Sequence, residues 1–300
     1  MPYVPYDSLS IAGHEIRWFQ ELESTNDYIV NLAKNIGTEV DRDRLAGLVA
    51  VSDYQSKGRG RMSREWLAPP GRCLLVSILI PAATIPDNPF LVVSATALAA
   101  AEACMETARL HVDIAWPNDL YVEGRKLGGI LTEIVGGTSQ LVVGLGLNVT
   151  WPTIAEDGII VDRSISSKSE NNGQGNTSTN ASASVMSDPS ESGSIRHSPN
   201  TATSILLESG RLVDRRYLLE RLLAGLDRHL EEATMPSGIA DMVKEYRERC
   251  ITIGKRVSIA LAGGRTVQGI AVAVDSNGRL SVEGEPGIEV FTAGDVRIIR

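Results

Sequence analysis

The residues best suited to chemistry lie between Lys57 and Arg72. Within these sixteen positions the chain carries Lys57, Arg59, Arg61, Arg64 and Arg72 against Glu65 alone, a local charge of +4 in a protein of net charge −8. That contrast implies an anionic ligand. Arginine forks supply charge-assisted hydrogen bonds, and Gly58 and Gly60 let backbone amides approach phosphate or carboxylate oxygens. The same Gly58-Arg59-Gly60-Arg61 string also suits a solvated basic loop or a nucleic-acid contact. A second segment runs Trp116-Pro117-Asn118-Asp119 and then Arg125-Lys126-Leu127-Gly128-Gly129-Ile130-Leu131. Asn118 and Asp119 offer oxygens to a turn, to Mg²⁺ or to hydroxyl groups. Lys126, just before a buried strand, is either an edge charge or a point cation for a reacting carboxylate or phosphate. In a third segment, Gly144 and Gly146 alternate along a strand and leave one face bare, open to a ligand or a neighbouring backbone.

Other chemistries find no support. No GxxxxGK[ST] phosphate loop and no GxSxG nucleophile elbow occur. His14, His111, His197 and His229 show no metal-ligand spacing. Cys73, Cys104 and Cys250 are far apart and form no CxxC pair, which fits a reducing cytoplasm rather than a disulfide scaffold. No export signal or membrane span is visible, and the acidic balance argues against a surface devoted to nucleic acid.

The elements that must position these segments alternate in period. Ser24 or Thr25 can cap a helix carrying Tyr28, Ile29, Leu32, Ala33 and Ile36, with Gly37 as its stop. Strands are expected at 47–52, 73–80 (closed by Pro81), 112–116, 129–135 and 141–147, and a buried Ala-rich helix from Leu91 to about Ala108. Asp214 can cap a helix with Leu219, Leu222, Leu223, Leu226 and Leu230 on one face, and a second helix is expected at 239–249. From Gly254 onward, short alternating segments are separated by Gly263-Gly264, Asn277-Gly278 and Glu285-Pro286-Gly287, the pattern of a small antiparallel barrel of SH3 type. Fewer than about fifty residues make a marginal core, so this module should pack on the larger one. Between Val161 and Asn200 stand 12 Ser, 5 Asn and 2 Thr in 40 residues. We expect a disordered insertion there, removable without loss of activity. The expected architecture is therefore α/β (α+β), with a mixed-sheet catalytic domain at 1–250, interrupted at about 161–200, and an SH3-like domain at 254–300.

Taken in order, Glu23-Ser24-Thr25-Asn26, Gln55 with Gly58-Arg59-Gly60-Arg61 and Trp66, Trp116-Pro117-Asn118-Asp119, Arg125 to Leu131 and Gly144-Leu145-Gly146-Leu147-Asn148 resemble the biotin–protein ligase family. The resemblance runs from about Trp18 to Val149, resumes at Ala202-Thr203-Ser204 and includes the C-terminal module. It implies an ATP- and Mg²⁺-dependent ligase that makes biotinoyl-5′-AMP and passes biotin to a lysine of a biotin carboxyl carrier protein, such as that of acetyl-CoA carboxylase. It further implies that Ser24, Thr25, Asn26 and Gln55 face biotin. Arg59, Gly60 and Arg61 would order over biotin and its adenylate, and Lys126 would meet the carboxylate and phosphate, with Lys126 and Arg61 as the catalytic cations. Trp66 would pack on adenine, with Asn118, Asp119 and Asn148 toward ATP and Asp119 toward Mg²⁺. Family members commonly carry a lysine where Ala115 stands, and smaller residues than Lys57 and Ser63. About two dozen residues precede Ser24, too few for the N-terminal DNA-binding domain of some relatives, so operator binding is not expected, and with no membrane span visible no membrane partner is expected either. Lipoate–protein ligase is the nearest alternative.

Overall fold

A computed structural model describes residues 4–35, 45–80, 88–136, 140–154, 160–161, 202–261, 264–285 and 287–299. The Ser/Asn-rich tract and the expected stops at Gly37 and Pro81 lie outside the described residues.

The larger unit is an eight-stranded mixed sheet. Its strands are β1 (Asp7–Ile11), β2 (His14–Leu22), β3 (Val49–Gln55), β4 (Cys73–Ile80), β5 (Asp113–Ala115), β6 (Asp119–Val122), β7 (Arg125–Ile134) and β8 (Leu141–Asn148). They lie in the order β1-β2-β3-β4-β8-β7-β6-β5, with only the β2–β3 pair parallel. A short pair, β9 (Thr153–Ile154) and β10 (Ile160–Val161), follows. β1, β2 and β6 are strands that apolar runs alone do not announce: β1 alternates polar and apolar residues at an edge, and β6 is four residues long.

Helices cover both faces. α1 (Thr25–Lys34) lies on one face, where Phe19, Leu22, Ile29, Ala33, Ala50, Leu79 and Val142 form its core. The opposite face is covered by α2 (Pro89–Ala108), α4 (Arg215–Glu232) and α5 (Pro236–Arg249), with α3 (Ile205–Ser209) nearby. α2 begins as its sequence dictates, with the Asn88 side chain accepting from Phe90 N and Pro89 in the first turn. Its alanines allow close approach: a Cβ at Gly225 of α4 would fall 3.2 Å from the Ala99 Cβ. By length and composition α2 could cross a membrane, but 67% of that stretch is buried within the protein, as befits a core helix. Asp214 caps α4 through bonds from Arg216 N and Tyr217 N.

The second sheet comprises β11 (Arg256–Ala260), β12 (Thr266–Val274), β13 (Leu280–Gly284), β14 (Gly287–Phe291) and β15 (Asp295–Ile298), in the order β14-β13-β12-β11-β15. The first of these strands sits between the second and the fifth, the succession of an SH3-type barrel. Val257, Ile259, Ala271, Val274, Leu280, Val282 and Phe291 join the apolar cluster of the large sheet and α2. The expected packing of the small unit on the large one is therefore present.

Candidate active site

The site lies on the α1 face of the large sheet. Strand alternation decides what lines it. β4 presents Cys73, Leu75, Ser77 and Leu79 there, each opposite Asn148, Gly146, Gly144 and Val142 of β8 respectively. The intervening residues Val76, Ile78, Val143 and Leu145 point into the α2 core.

At one end of this face, Ser24 is the N-cap of α1, its hydroxyl accepting from Asp27 N at 3.3 Å. The next two residues are thereby aimed at the sheet, and both are buried. Thr25 donates through its N–H and its hydroxyl to Gln55 Oε1, at 2.7 and 2.9 Å. The Ser77 hydroxyl lies 2.7 Å from Thr25 Oγ1 and 2.5 Å from Asn26 Oδ1, with one proton to share between them. Asn26 Nδ2 donates to Glu133 Oε2 at 2.8 Å. The glycine face of β8 is not bare. A Cβ at Gly144 would fall 2.1 Å from Asn26 Oδ1, and one at Gly146 would fall 2.6 Å from Trp66 Cε2. The two glycines thus make room for an amide and an indole of this same chain, rather than for a neighbouring backbone.

The basic loop closes over the other end. Gly60 N donates to Arg64 O and Arg64 N to Arg61 O, forming a tight turn in which Met62 has a positive φ of 55°. Trp66 N donates to Gly58 O, which brings the indole back over the sheet. There Lys126 Nζ stands 5.8 Å from the Trp66 ring. The Trp66 Nε1–H is buried with no hydrogen-bond acceptor among the described residues. The loop from Ser56 to Glu65, with Asp27 of α1 and Leu131 of β7, lines an open cleft of about 640 Å³ beside this face.

Lys126 reaches this face through a bulge. In the β6–β7 pair, Leu120 is opposite Gly128 but Tyr121 is opposite Lys126, so Leu127 is an extra residue. The shift turns Lys126 to the same side as Asp119 and Gly129, and Lys126 Nζ meets Asp119 Oδ2 at 2.7 Å. Asn118 follows the cis Trp116–Pro117 bond, at the hairpin expected from its sequence. Its Oδ1 accepts from Arg61 Nη1 at 3.0 Å, while its Nδ2 donates to Ile130 O. Asn148 is buried and engaged at both ends of its amide, accepting from the Cys73 thiol and donating to Thr203 O at 2.9 Å. Burial pushes the Cys73 thiol up to about 12, so it packs as an inert group.

Counter-charges distribute the field. Lys57 pairs with Glu23, Arg59 with Asp27 and Glu133, Arg64 with Asp295, and Lys126 with Asp119. Among the described residues Arg61 makes no ion pair within contact distance, and its guanidinium rests on the neutral Asn118 amide. Burial holds the guanidinium below its ordinary value, with Arg64 adding repulsion, while Asp119 and Asp295 act in the other direction. An arginine remains protonated regardless, and an anion placed there would relieve its poor solvation.

The polar and charged site candidates, with Trp66, thus lie along this one face and its rim, while Trp116, Ile130, Leu145 and Leu147 of the same motifs face the α2 core. Sequence reasoning missed Ser77, Asp27, Glu133 and Asp295, the groups that hold the expected ones in place. Ser77 could have been noticed, because it is the one polar residue in the eight-residue run Cys73–Ile80. No pattern points to the other three.

The family model for the biotin/lipoate A/B protein ligase family matches residues 22–148, and that for the biotin protein ligase C terminal domain matches residues 252–298. The chain belongs to the biotin/lipoate A/B protein ligase family. Among its relatives, the biotin–[acetyl-CoA-carboxylase] ligase of Mycobacterium tuberculosis is 26% identical over 298 residues, covering 98% of this chain and 94% of that one. A bifunctional ligase/repressor of Bacillus subtilis is 26% identical over 292 residues, covering 96% of this chain and 75% of that one. The biotin protein ligase of Aquifex aeolicus, solved in complex with biotin and ATP, shares the fold with a TM-score of 0.68 at 21% identity, covering 95% of this chain and 98% of that one. In this ligase-family chain the first matched region carries strands β3 to β8 of the large sheet with the cleft, and the second carries the five-stranded sheet.

Proposed function

We propose that the protein is an ATP-dependent biotin–protein ligase, with residues 1–250 as its catalytic part and 254–300 as its C-terminal domain. The biotin carboxylate attacks the α-phosphorus of ATP, a P–O bond forms, and pyrophosphate leaves. An amine of a carrier-protein lysine then attacks the acyl carbon and AMP leaves. Both partners of the first step are anions, so the site must supply fixed positive charge away from water. The observation that carries this proposal is the convergence of Lys126 and Arg61 on one end of a polar-floored face, with Arg61 lacking a carboxylate partner among the described residues.

In this reading Thr25, Asn26 and Gln55 orient the ureido end of biotin, and Ser24 acts as the cap that aims them. Lys126 exchanges Asp119 for the reacting carboxylate and phosphate. Arg61 holds the α-phosphate, and Arg59 with Gly60 covers the adenylate and shields it from hydrolysis. The orphaned Trp66 N–H gives the indole a donor to offer a bound nucleotide beside its packing face. Among the described residues no group of three His, Cys, Asp or Glu side chains is placed to hold a metal ion by itself. Mg²⁺ commonly rests on one or two carboxylates plus substrate phosphates, and Asp119, once Lys126 turns to the substrate, would be the carboxylate of that pattern. When bound, the ion would neutralise phosphate charge. Asn148 supports the floor through Cys73 and Thr203 more directly than it faces a ligand. The protein substrate is a biotin carrier domain, for which we propose that of an acyl-CoA carboxylase, and the three free, buried cysteines suit a cytoplasmic setting.

Biotin-dependent exchange of pyrophosphate into ATP tests the first step. Lys126→Ala should lower that exchange by about a hundredfold or more with the fold retained, the scale of a removed electrostatic stabiliser. A rate within a few-fold of the unaltered protein removes Lys126 from the mechanism, and exchange supported by lipoate but not biotin moves the substrate assignment.

A further inference from the structure

We infer that Asp295, in the C-terminal sheet, is a positioning residue for the ligand loop: its ion pair with Arg64 latches the turn that sets Arg61 against Asn118. Arg64 is the hub of that turn, since its carbonyl accepts from Gly60 N at 2.7 Å and its N–H donates to Arg61 O at 3.2 Å. Its side chain leaves the loop and ends on the Asp295 carboxylate at the start of β15. The Asp295 side chain is 18% exposed, which shields the pair from solvent on one side.

A latch needs a fixed post, and the post is fixed at several points. Trp116 Nε1 donates to Gly278 O at 2.7 Å, and Trp116 N donates to Thr252 Oγ1 at 2.9 Å. Arg247 Nε donates to Val274 O at 2.6 Å, and Asn88 Nδ2 to Ser276 O at 3.0 Å. Trp116 begins the hairpin that carries Asn118 and Asp119, so the small sheet grips that hairpin through Trp116 and the basic loop through Arg64. It therefore spans the two elements whose meeting, Arg61 to Asn118 at 3.0 Å, makes the cationic end of the cleft. Without the small sheet each element would have to find the other through its own hinge.

This inference rests on the proposed activity for its functional consequence, and on geometry alone for the latch. Amide hydrogen exchange of residues 58–66 in the ligand-free full chain separates the two. Asp295→Arg and Arg64→Asp should each speed exchange at the Gly60, Arg64 (or its replacement) and Trp66 amides by about fivefold or more, the scale of a half-buried ion pair. The double variant, with the charges exchanged, should return it toward the original rate. If Asp295→Arg does not fold, Asp295→Asn and Arg64→Gln carry the same comparison. Release of bound biotinoyl-AMP should accelerate in parallel in the single variants and recover in the double, with KM for biotin and ATP moving more than kcat. Unchanged loop exchange in the Asp295 variants, or a double variant no nearer the original than either single one, overturns the latch. A protein that shows the latch by exchange but makes no adenylate from biotin overturns the ligase reading instead.

Discussion

Replacing Gly144 with alanine tests the architecture of the sheet face under α1 most directly. The three nearest atoms to the added methyl all belong to the Asn26 amide, with Oδ1 only 2.1 Å away. Neither side can yield cheaply. The backbone of β8 is paired on both edges, with Ser77 of β4 and Leu131 of β7. The amide is buried and held by Ser77 at 2.5 Å and Glu133 at 2.8 Å. Swinging Asn26 away breaks one or both bonds and leaves buried groups unsatisfied, at roughly 1–3 kcal/mol each. The substitution should thus cost about 2–4 kcal/mol and lower the melting temperature by roughly 5–12 °C for a protein of this size. Asn26→Ala removes the obstacle, so the double variant should cost less than the sum of the two single ones by about 1 kcal/mol or more. Calorimetric melting of the four proteins, with biotin titration alongside, gives the cycle. Biotin affinity should fall in every variant that displaces the amide. A Gly144→Ala protein melting within about 1 °C of the original, or strict additivity with Asn26→Ala, would refute the claim that β8 carries glycine here to seat Asn26.

Three further outcomes follow from the geometry. Arg61→Gly should shorten the lifetime of bound biotinoyl-AMP by about tenfold, as expected for one lost charge-assisted contact, and trapping of stoichiometric adenylate at the original rate would contradict it. His14 places Nδ1 2.7 Å from Gly47 O and Nε2 2.9 Å from Asp227 Oδ2, so both nitrogens face acceptors and the imidazolium is favoured. The bond to Asp227 raises its pKa above the ordinary 6.5. The resulting stability is present below the unfolded value and lost as pH climbs through the folded one, so His14→Gln should depress the melting temperature more at about pH 6 than at about pH 9. An equal depression at both would exclude that linkage. Removal of Ser164 to Ser198 should leave adenylate formation intact, and its loss from a folded deletion protein would show that the tract matters.

How far the molecule was legible varied with the kind of signal. β4 could be read to the residue because eight consecutive apolar or small positions end sharply at both sides. α4 could be read because Asp214 and a leucine stripe mark its start and face. β1 and β2 escaped, since an edge hairpin needs no continuous apolar run. The site motifs could be located because glycine, arginine and Trp-Pro-Asn-Asp are unusual in those arrangements. Their partners could not. Glu133 is an ordinary strand carboxylate until β7 lies beside α1, and Asp295 is one acid among many until the small sheet docks.

The clearest division lies at Lys126. Sequence by itself determined that a cation stands before a Gly-Gly pair and a buried strand, that the charge of the basic loop runs against the acidity of the whole chain, and that β8 has glycines on one face. It did not determine which way Lys126 points. Simple alternation would send it to the side of Gly128 and Ile130, into the α2 core. One additional residue in β7 reverses that parity and sets Lys126 beside Asp119. Strand periodicity is a local property, but a bulge exists only relative to the partner strand, so pairing in three dimensions decided where the charge acts.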